Sequence, residues 1–108
     1  MEALELALFR SRQGVSQAEV LEASQQLSPW LQRQSGFLYR SLSQQEDGLW
    51  VDVVYWQSLE QAQAASAGFM QASESQALMA LIEPDSVHLS HSQIAYRLEG
   101  TMRDSGAA

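Results

Sequence analysis

The sequence predicts an α+β fold in which four antiparallel strands form one sheet and two helices pack on one face of it. Three observations predict it. Apolar residues alternate with a period of two in four stretches, 3–12, 37–44, 49–56 and 87–96. They recur with helical spacing in two others, one running from Ser16 towards Gly36 and one over 58–82. The two middle alternating stretches are separated only by "QEDG", a hairpin signal. Strand, helix, strand, strand, helix, strand with right-handed crossovers is the ferredoxin-like βαββαβ arrangement, which leaves the second sheet face bare. At 108 residues and 45% hydrophobic, the chain makes one domain, over 1–98, with small and polar residues from 99 to 108 reading as a flexible tail.

In "ALELALFRSR" (3–12), Leu4, Leu6 and Leu8 share one face and Ala3, Ala7 and Phe9 the other, as in a strand covered on both sides, interrupted only by Glu5. The first helix opens at Ser16 as N-cap, with Glu19 completing a capping box and Val15 placed to staple onto Val20. Val20, Ala23, Leu27, Trp30 and Leu31 continue it. Pro29 lacks an amide donor, which predicts either a kink or a second short helix capped by Ser28. Gly36 is the C-terminal glycine. The second helical stretch is opened by Ser58 with Gln61 as box partner, weakened at Gly68, given a second start by "SESQ" (73–76) and broken by "PDS". "VHLSHSQIAY" (87–96) is the last strand.

A type I turn in "QEDG" with Gly48 left-handed makes a three-residue loop. It pairs Gln45 with Leu49, Arg40 with Val54 and Leu38 with Trp56. A two-residue Asp-Gly turn would shift the register by one and move Arg40 to the other face. On the longer loop, Leu38, Arg40, Leu42, Trp50, Asp52, Val54 and Trp56 share one face, and Phe37, Tyr39, Leu49, Val51, Val53 and Tyr55 the other. The second set reads as the bed for the helices. The first, with two indoles, is too apolar to leave in water. A second copy of the chain is the simplest cover, packed sheet to sheet as a twofold homodimer in which Arg40 and Asp52 pair as diagonal neighbours.

Composition removes several classes of function. The formal charge is −7, carried against six arginines and no lysine. That leaves no basic stripe for nucleic acid or an acidic membrane surface. With no lysine there is no Schiff base, and with no cysteine no disulfide, thiol nucleophile or sulfur-ligated metal. No apolar run approaches the roughly 20 residues that span a bilayer, and "MEALELALFR" lacks a basic signal-peptide flank. A cytoplasmic protein is expected. His88 and His91 lie three apart on a strand, so they point to opposite faces and no metal site is expected.

The runs "WLQRQSGFLYRSL", "DGLWVDVVYWQSLEQAQAA", "FM", "ALI" and "VHLSH" resemble, in order and spacing, the antibiotic biosynthesis monooxygenase-like group of dimeric α+β barrels over about residues 3–96. "GF" opens the second strand, and "W-x-S-x-E-x-A" leads from the third strand into the helix that follows. Fold does not fix activity in this group, which holds oxygenases, isomerases and haem-degrading enzymes. The haem-degrading branch uses an asparagine on the first strand, with a tryptophan and a histidine on the second long helix. This chain has no asparagine, and residues 58–82 contain neither tryptophan nor histidine. The resemblance to the quinone-forming oxygenases implies a reaction without metal, flavin or other cofactor on an apolar, aromatic small molecule, or else an isomerisation. It implies a chamber between sheet and helices, with His91 as base and Tyr39, Tyr55 and Trp56 as contacts.

Arg40, Asp52 and Trp50 complete the candidate substrate-binding set. His91 shares parity with Val87 and Leu89, and a neutral imidazole suits a general base or a hydrogen-bonding anchor. The bland reading is a satisfied, partly buried histidine. Asp52 is a candidate proton acceptor if buried, against the plainer role of pairing with Arg40. Met70 and Met79 fall at helical spacing, as core or as adaptable pocket lining. The alternative function is a non-catalytic, small-molecule-binding or stress-related protein of the same fold.

Overall fold

The computed structural model describes residues 1–100. The tail predicted over 99–108 falls, from residue 101 on, outside the described residues. Strand β1 (Ala3–Phe9) leads into helix α1 (Gln17–Arg33), then β2 (Phe37–Gln44), β3 (Trp50–Trp56), α2 (Leu59–Phe69), α3 (Gln76–Leu81) and β4 (His88–Gln93). The sheet runs β2-β3-β1-β4, with every neighbouring pair antiparallel. This is the predicted βαββαβ architecture.

Local chemistry sets the element ends. Ser16 caps α1, its hydroxyl accepting from the Glu19 amide at 3.2 Å while the Glu19 carboxylate accepts from the Ser16 amide at 3.1 Å. Pro29 does not divide the helix, which continues through it to Arg33. Gly36, at φ +84°, turns the chain into β2, and a side chain there would run into Gln61. Ser58 caps α2, accepting from the Gln61 amide at 3.1 Å, but Gln61 Oε1 accepts from the Ser58 hydroxyl at 3.1 Å rather than from the Ser58 amide, so the box is only half formed.

The helical stretch over 58–82 is interrupted after Phe69, one residue past Gly68, and takes up the second start expected at "SESQ". The chain crosses 70–72, makes one 3-10 turn at Ser73–Ser75 and restarts as α3. Ser75 is fully buried at this break, and its hydroxyl reaches the carbonyl oxygens of Phe69 and Ala72 at 2.6 and 2.8 Å.

The hairpin has the longer loop. Gly48 is left-handed at φ +93°, the Gln45 amide donates to Leu49 at 2.8 Å, and Arg40 lies opposite Val54. A bulge at Leu38 corrects the end of the register, because Phe37 rather than Leu38 stands opposite Trp56. Phe37 thereby joins the tryptophan face and meets the Trp56 ring edge-on, centroids 5.8 Å apart.

The assignment of faces is reversed from the sequence expectation. Trp50 and Trp56 are each 1% exposed within the single chain, buried with Val20, Leu27 and Leu31 of α1, Ala62 and Ala65 of α2 and Leu78 of α3. The helices cover the indoles; no second copy is needed for that. The reason is complementarity of size. The face carries alanines wherever bulk must be given back, with Ala3 opposite Trp56, Ala7 opposite Asp52, and Ala23, Ala62 and Ala65 above them. The open face presents Leu4, Leu6 and Leu8 beside Tyr55, Val53 and Val51, all half-buried, with Tyr39 exposed.

Candidate active site

Each strand contributes one ionisable side chain to the helix-covered face, and together they form a row across the sheet. Arg40 of β2 and Glu5 of β1 both lie level with Val54, and Glu5 lies opposite His91 of β4. Asp52 of β3 stands one pair along, diagonal to Arg40 and to Glu5. Arg40 grips Asp52 with two bonds, Nε to Oδ1 at 2.9 Å and Nη2 to Oδ2 at 2.7 Å. A third, weaker contact runs from Nη1 to the Ser24 carbonyl at 3.4 Å. The His91 Nε2 lies 2.9 Å from Glu5 Oε1. All four side chains are at least four-fifths buried. Charges so placed persist only when paired, because each would otherwise forfeit its hydration uncompensated.

Above the row lies a cavity of about 460 Å³, a size that suits a ring-bearing small molecule. Its floor includes Glu5, Arg40, Asp52, Val54 and Trp56, and its roof is apolar, built from Leu27, Trp30 and Leu31 of α1, Ala65 and Phe69 of α2, and Leu78 and Met79 of α3. Trp30 and Phe69 meet edge to face, centroids 6.0 Å apart. The lining takes residues from both sides of the break after Phe69, including Met70, which is 63% exposed.

Burial raises the Glu5 carboxyl above its ordinary value by stripping water from the charged form. The hydrogen bond and charge of His91 pull the other way, the neighbouring Asp52 adds to the rise, and Arg40 opposes it. The row is therefore a set of coupled sites.

Several residues singled out from the sequence are gathered here: Trp56, Arg40 and Asp52 line the cavity, as do Met70 and Met79. Arg40 and Asp52 do pair, within one chain and under the helices rather than at a sheet-to-sheet contact. His91 faces the helices but does not line the cavity; it reaches it only through Glu5. Trp50 is outside the lining, stacked on Phe9 at 6.3 Å between centroids and nearly parallel. Tyr39 and Tyr55 pair with each other on the opposite side of the sheet, because they are out of phase with Trp56 in the alternation. His88 lies opposite Leu8 on that same open side, away from His91. Among the described residues no group of three or more His, Asp or Glu side chains is placed to hold a metal ion.

Glu5 is the functional candidate that sequence reasoning passed over. Its signal was present: one carboxylate interrupting a strand that is otherwise apolar on both faces.

No family model matches the chain, and neither does any curated protein sequence. Solved structures do. SnoaB, a cofactor-independent oxygenase from Streptomyces nogalater, superposes with a TM-score of 0.71 at 20% identity, over 92% of this chain and 98% of that one. A candidate antibiotic biosynthesis monooxygenase from Bordetella bronchiseptica gives 0.72 at 17% identity, over 88% and 98%. Another from Nitrosomonas europaea gives 0.67 at 13%, over 88% and 91%. At identities this low the superpositions establish the fold alone, the α+β arrangement that these structures share with the chain, which is the fold the sequence resemblance implied.

Proposed function

We propose that this chain is a cofactor-independent monooxygenase acting on an apolar, aromatic small molecule held between the sheet and the helices. The observation that carries the reading is an apolar chamber with aromatic walls laid over a buried ionisable row. The description of SnoaB as a cofactor-independent oxygenase supports it. In such a reaction the protein removes a proton and excludes water, and the ionised substrate itself supplies the electrons to dioxygen. For an anthrone, the methylene carbon loses two hydrogens and gains one oxygen atom, and the second oxygen atom leaves as water. His91 belongs to the proton-handling group through Glu5, and Trp56, Arg40 and Asp52 to the chamber wall. An isomerase would begin with the same proton removal.

A second reading, a binder without chemistry, is favoured by one observation. Arg40 and Asp52 are committed to each other through both carboxylate oxygens, which leaves little polar capacity for a reaction. Oxygen-electrode measurements with a panel of anthrones and hydroquinones separate the two. Uptake above buffer with quinone formation is expected of the oxygenase, while binding without uptake selects the binder.

The same reading includes a homodimer formed by sheet-to-sheet packing, now through the open face. Leu4, Leu6, Leu8, Val51, Val53 and Tyr55 make a contiguous apolar surface there, of the kind that soluble proteins cover.

A further inference from the structure

The two carboxyl groups on the cavity floor are not equivalent. Asp52 has both oxygens engaged by Arg40. Glu5 has Oε1 engaged by His91, and its Oε2 makes no hydrogen bond among the described residues. Nor is Oε2 sealed inside protein: the buried side-chain nitrogens and oxygens without a partner are Trp50 Nε1 and Trp56 Nε1. Glu5, the residue carrying this vacant carboxylate oxygen, lines a chamber whose other polar lining is the Arg40–Asp52 pair and the Ser66 hydroxyl, the rest being apolar.

That asymmetry defines what the chamber takes. Arg40 engages both oxygens of Asp52, so the carboxylate oxygen left to meet a ligand is that of Glu5, and an anionic ligand would be repelled by it at short range. An ammonium brings three N–H donors to one vacant carboxylate oxygen and, at most, the Ser66 hydroxyl, and leaves at least one unpaired in apolar surroundings. A hydroxyl brings one. Its hydrogen bond to a carboxylate is charge-assisted, stronger than one between neutral groups.

We propose that Glu5 is the recognition and proton-accepting group of this cavity, engaging one weakly acidic hydroxyl on a neutral, ring-sized apolar ligand, with His91 as the positioning residue that fixes its carboxylate from behind. The inference rests on the cavity being a small-molecule site, as read above. In the transfer step the ligand O–H bond breaks, its electron pair stays on the ligand oxygen, and the proton bonds to Glu5 Oε2. Nothing is oxidised or reduced. A carboxylate short of water is a better proton acceptor than one in solvent. The groups facing Glu5 are His91 on β4, Asp52 on β3 and Arg40 on β2; the helices contribute no ionisable side chain to the lining.

Equilibrium dialysis with four probes tests this: 2-naphthol, 2-methoxynaphthalene, 2-naphthoate and 2-naphthylmethylamine. Wild type is expected to bind 2-naphthol roughly tenfold tighter than the methoxy compound, the difference a charge-assisted hydrogen bond makes, and tighter than the anion or the amine. The hydroxyl preference falls as the pH is lowered and Glu5 takes up a proton, whereas neither 2-naphthol nor its methyl ether ionises in that range. Glu5→Gln is expected to reduce the preference to about threefold or less, since a neutral acceptor bonds more weakly, and to remove its pH dependence. His91→Leu weakens the preference and His91→Gln, which keeps a donor, restores it, a rescue that a merely structural histidine would not produce. Binding of 2-methoxynaphthalene checks that each variant retains the cavity.

Equal binding of 2-naphthol and its methyl ether by wild type overturns the inference and leaves the cavity as an apolar site. So does tighter binding of the amine, or a Glu5→Gln protein with the wild-type preference and pH profile. Binding of none of the probes overturns the small-molecule reading and this inference with it. Should Glu5→Gln fail to fold, the wild-type profile decides alone: a preference constant from mildly alkaline to mildly acidic pH overturns the proposal.

Discussion

The two faces of the sheet are nearly equal in apolar character and opposite in what they do. The covered face carries Phe9, Trp50, Val54 and Trp56 together with four ionisable groups; the open face carries three leucines, two valines and Tyr55, with no acid at all on β1 or β3. Hydrophobicity alone therefore does not decide which face receives helices. Variation in size does. Alanines beside indoles leave the hollows into which helices settle, and where filling is incomplete they leave a chamber. An even surface of medium-sized side chains suits a flat partner instead.

The largest effect that sharpens this contrast is expected from Trp56→Ala. Trp56 is 1% exposed and packed against Phe37, so its removal should cost about 3–5 kcal/mol in urea unfolding, at any protein concentration, because the cover comes from the same chain. A loss that appears only on dilution would return the indole face to an intermolecular role. Next, Asp52→Ala strands a buried Arg40 and should cost about 3 kcal/mol. Replacing both partners, as Arg40→Met with Asp52→Leu, should recover most of that in the same measurement. Recovery would mark the pair as a tolerated burden of the covered face rather than its support.

The open face is probed by Leu6→Glu. Leu6 pairs with Val53 at the centre of that surface. The expectation is sedimentation at the 12.0 kDa of one chain, against the dimer proposed for the wild type, with the intrinsic stability of the fold changed by about 1 kcal/mol or less. An unchanged sedimentation coefficient would place any self-association elsewhere.

Element order, both helix caps, the hairpin loop and the Arg40–Asp52 pair were legible in the sequence because each is a local or near-neighbour property. Ser16 and Glu19 lie within one turn, and Arg40 and Asp52 across one hairpin. The face assignment was not, because alternation states that two faces exist without saying which one is under the helices. The bulge at Leu38 was hidden for a related reason. It sets Phe37 against Trp56, a contact between chain segments that no pattern within "GFLYR" expresses. Glu5 was visible as an anomaly, but its partner is 86 residues away on the far edge strand, and only the sheet order brings them together.

The covered face also differs electrostatically from the rest of the molecular surface, and pH reads the difference. Glu5 has its folded-state pKa raised from an ordinary 4.5, chiefly by burial. Below that ordinary value the carboxyl is protonated in both folded and unfolded chains and has no effect on the balance. As the pH rises through it, the unfolded chain ionises first and the folded chain lags. Stability therefore falls with rising pH and levels off above the folded value. The surface carboxylates have the opposite sign: Asp47 is held low by the Leu49 amide and then Arg10, and Glu74 by Arg33, so what they contribute is lost as pH falls. Glu5→Gln deletes the first effect and leaves the second. The difference between wild-type and Glu5→Gln unfolding free energies, measured by urea titration across the mildly acidic range, should thus decline as pH rises. A flat difference would mean that the Glu5 carboxylate is as well solvated as the acids on the surface.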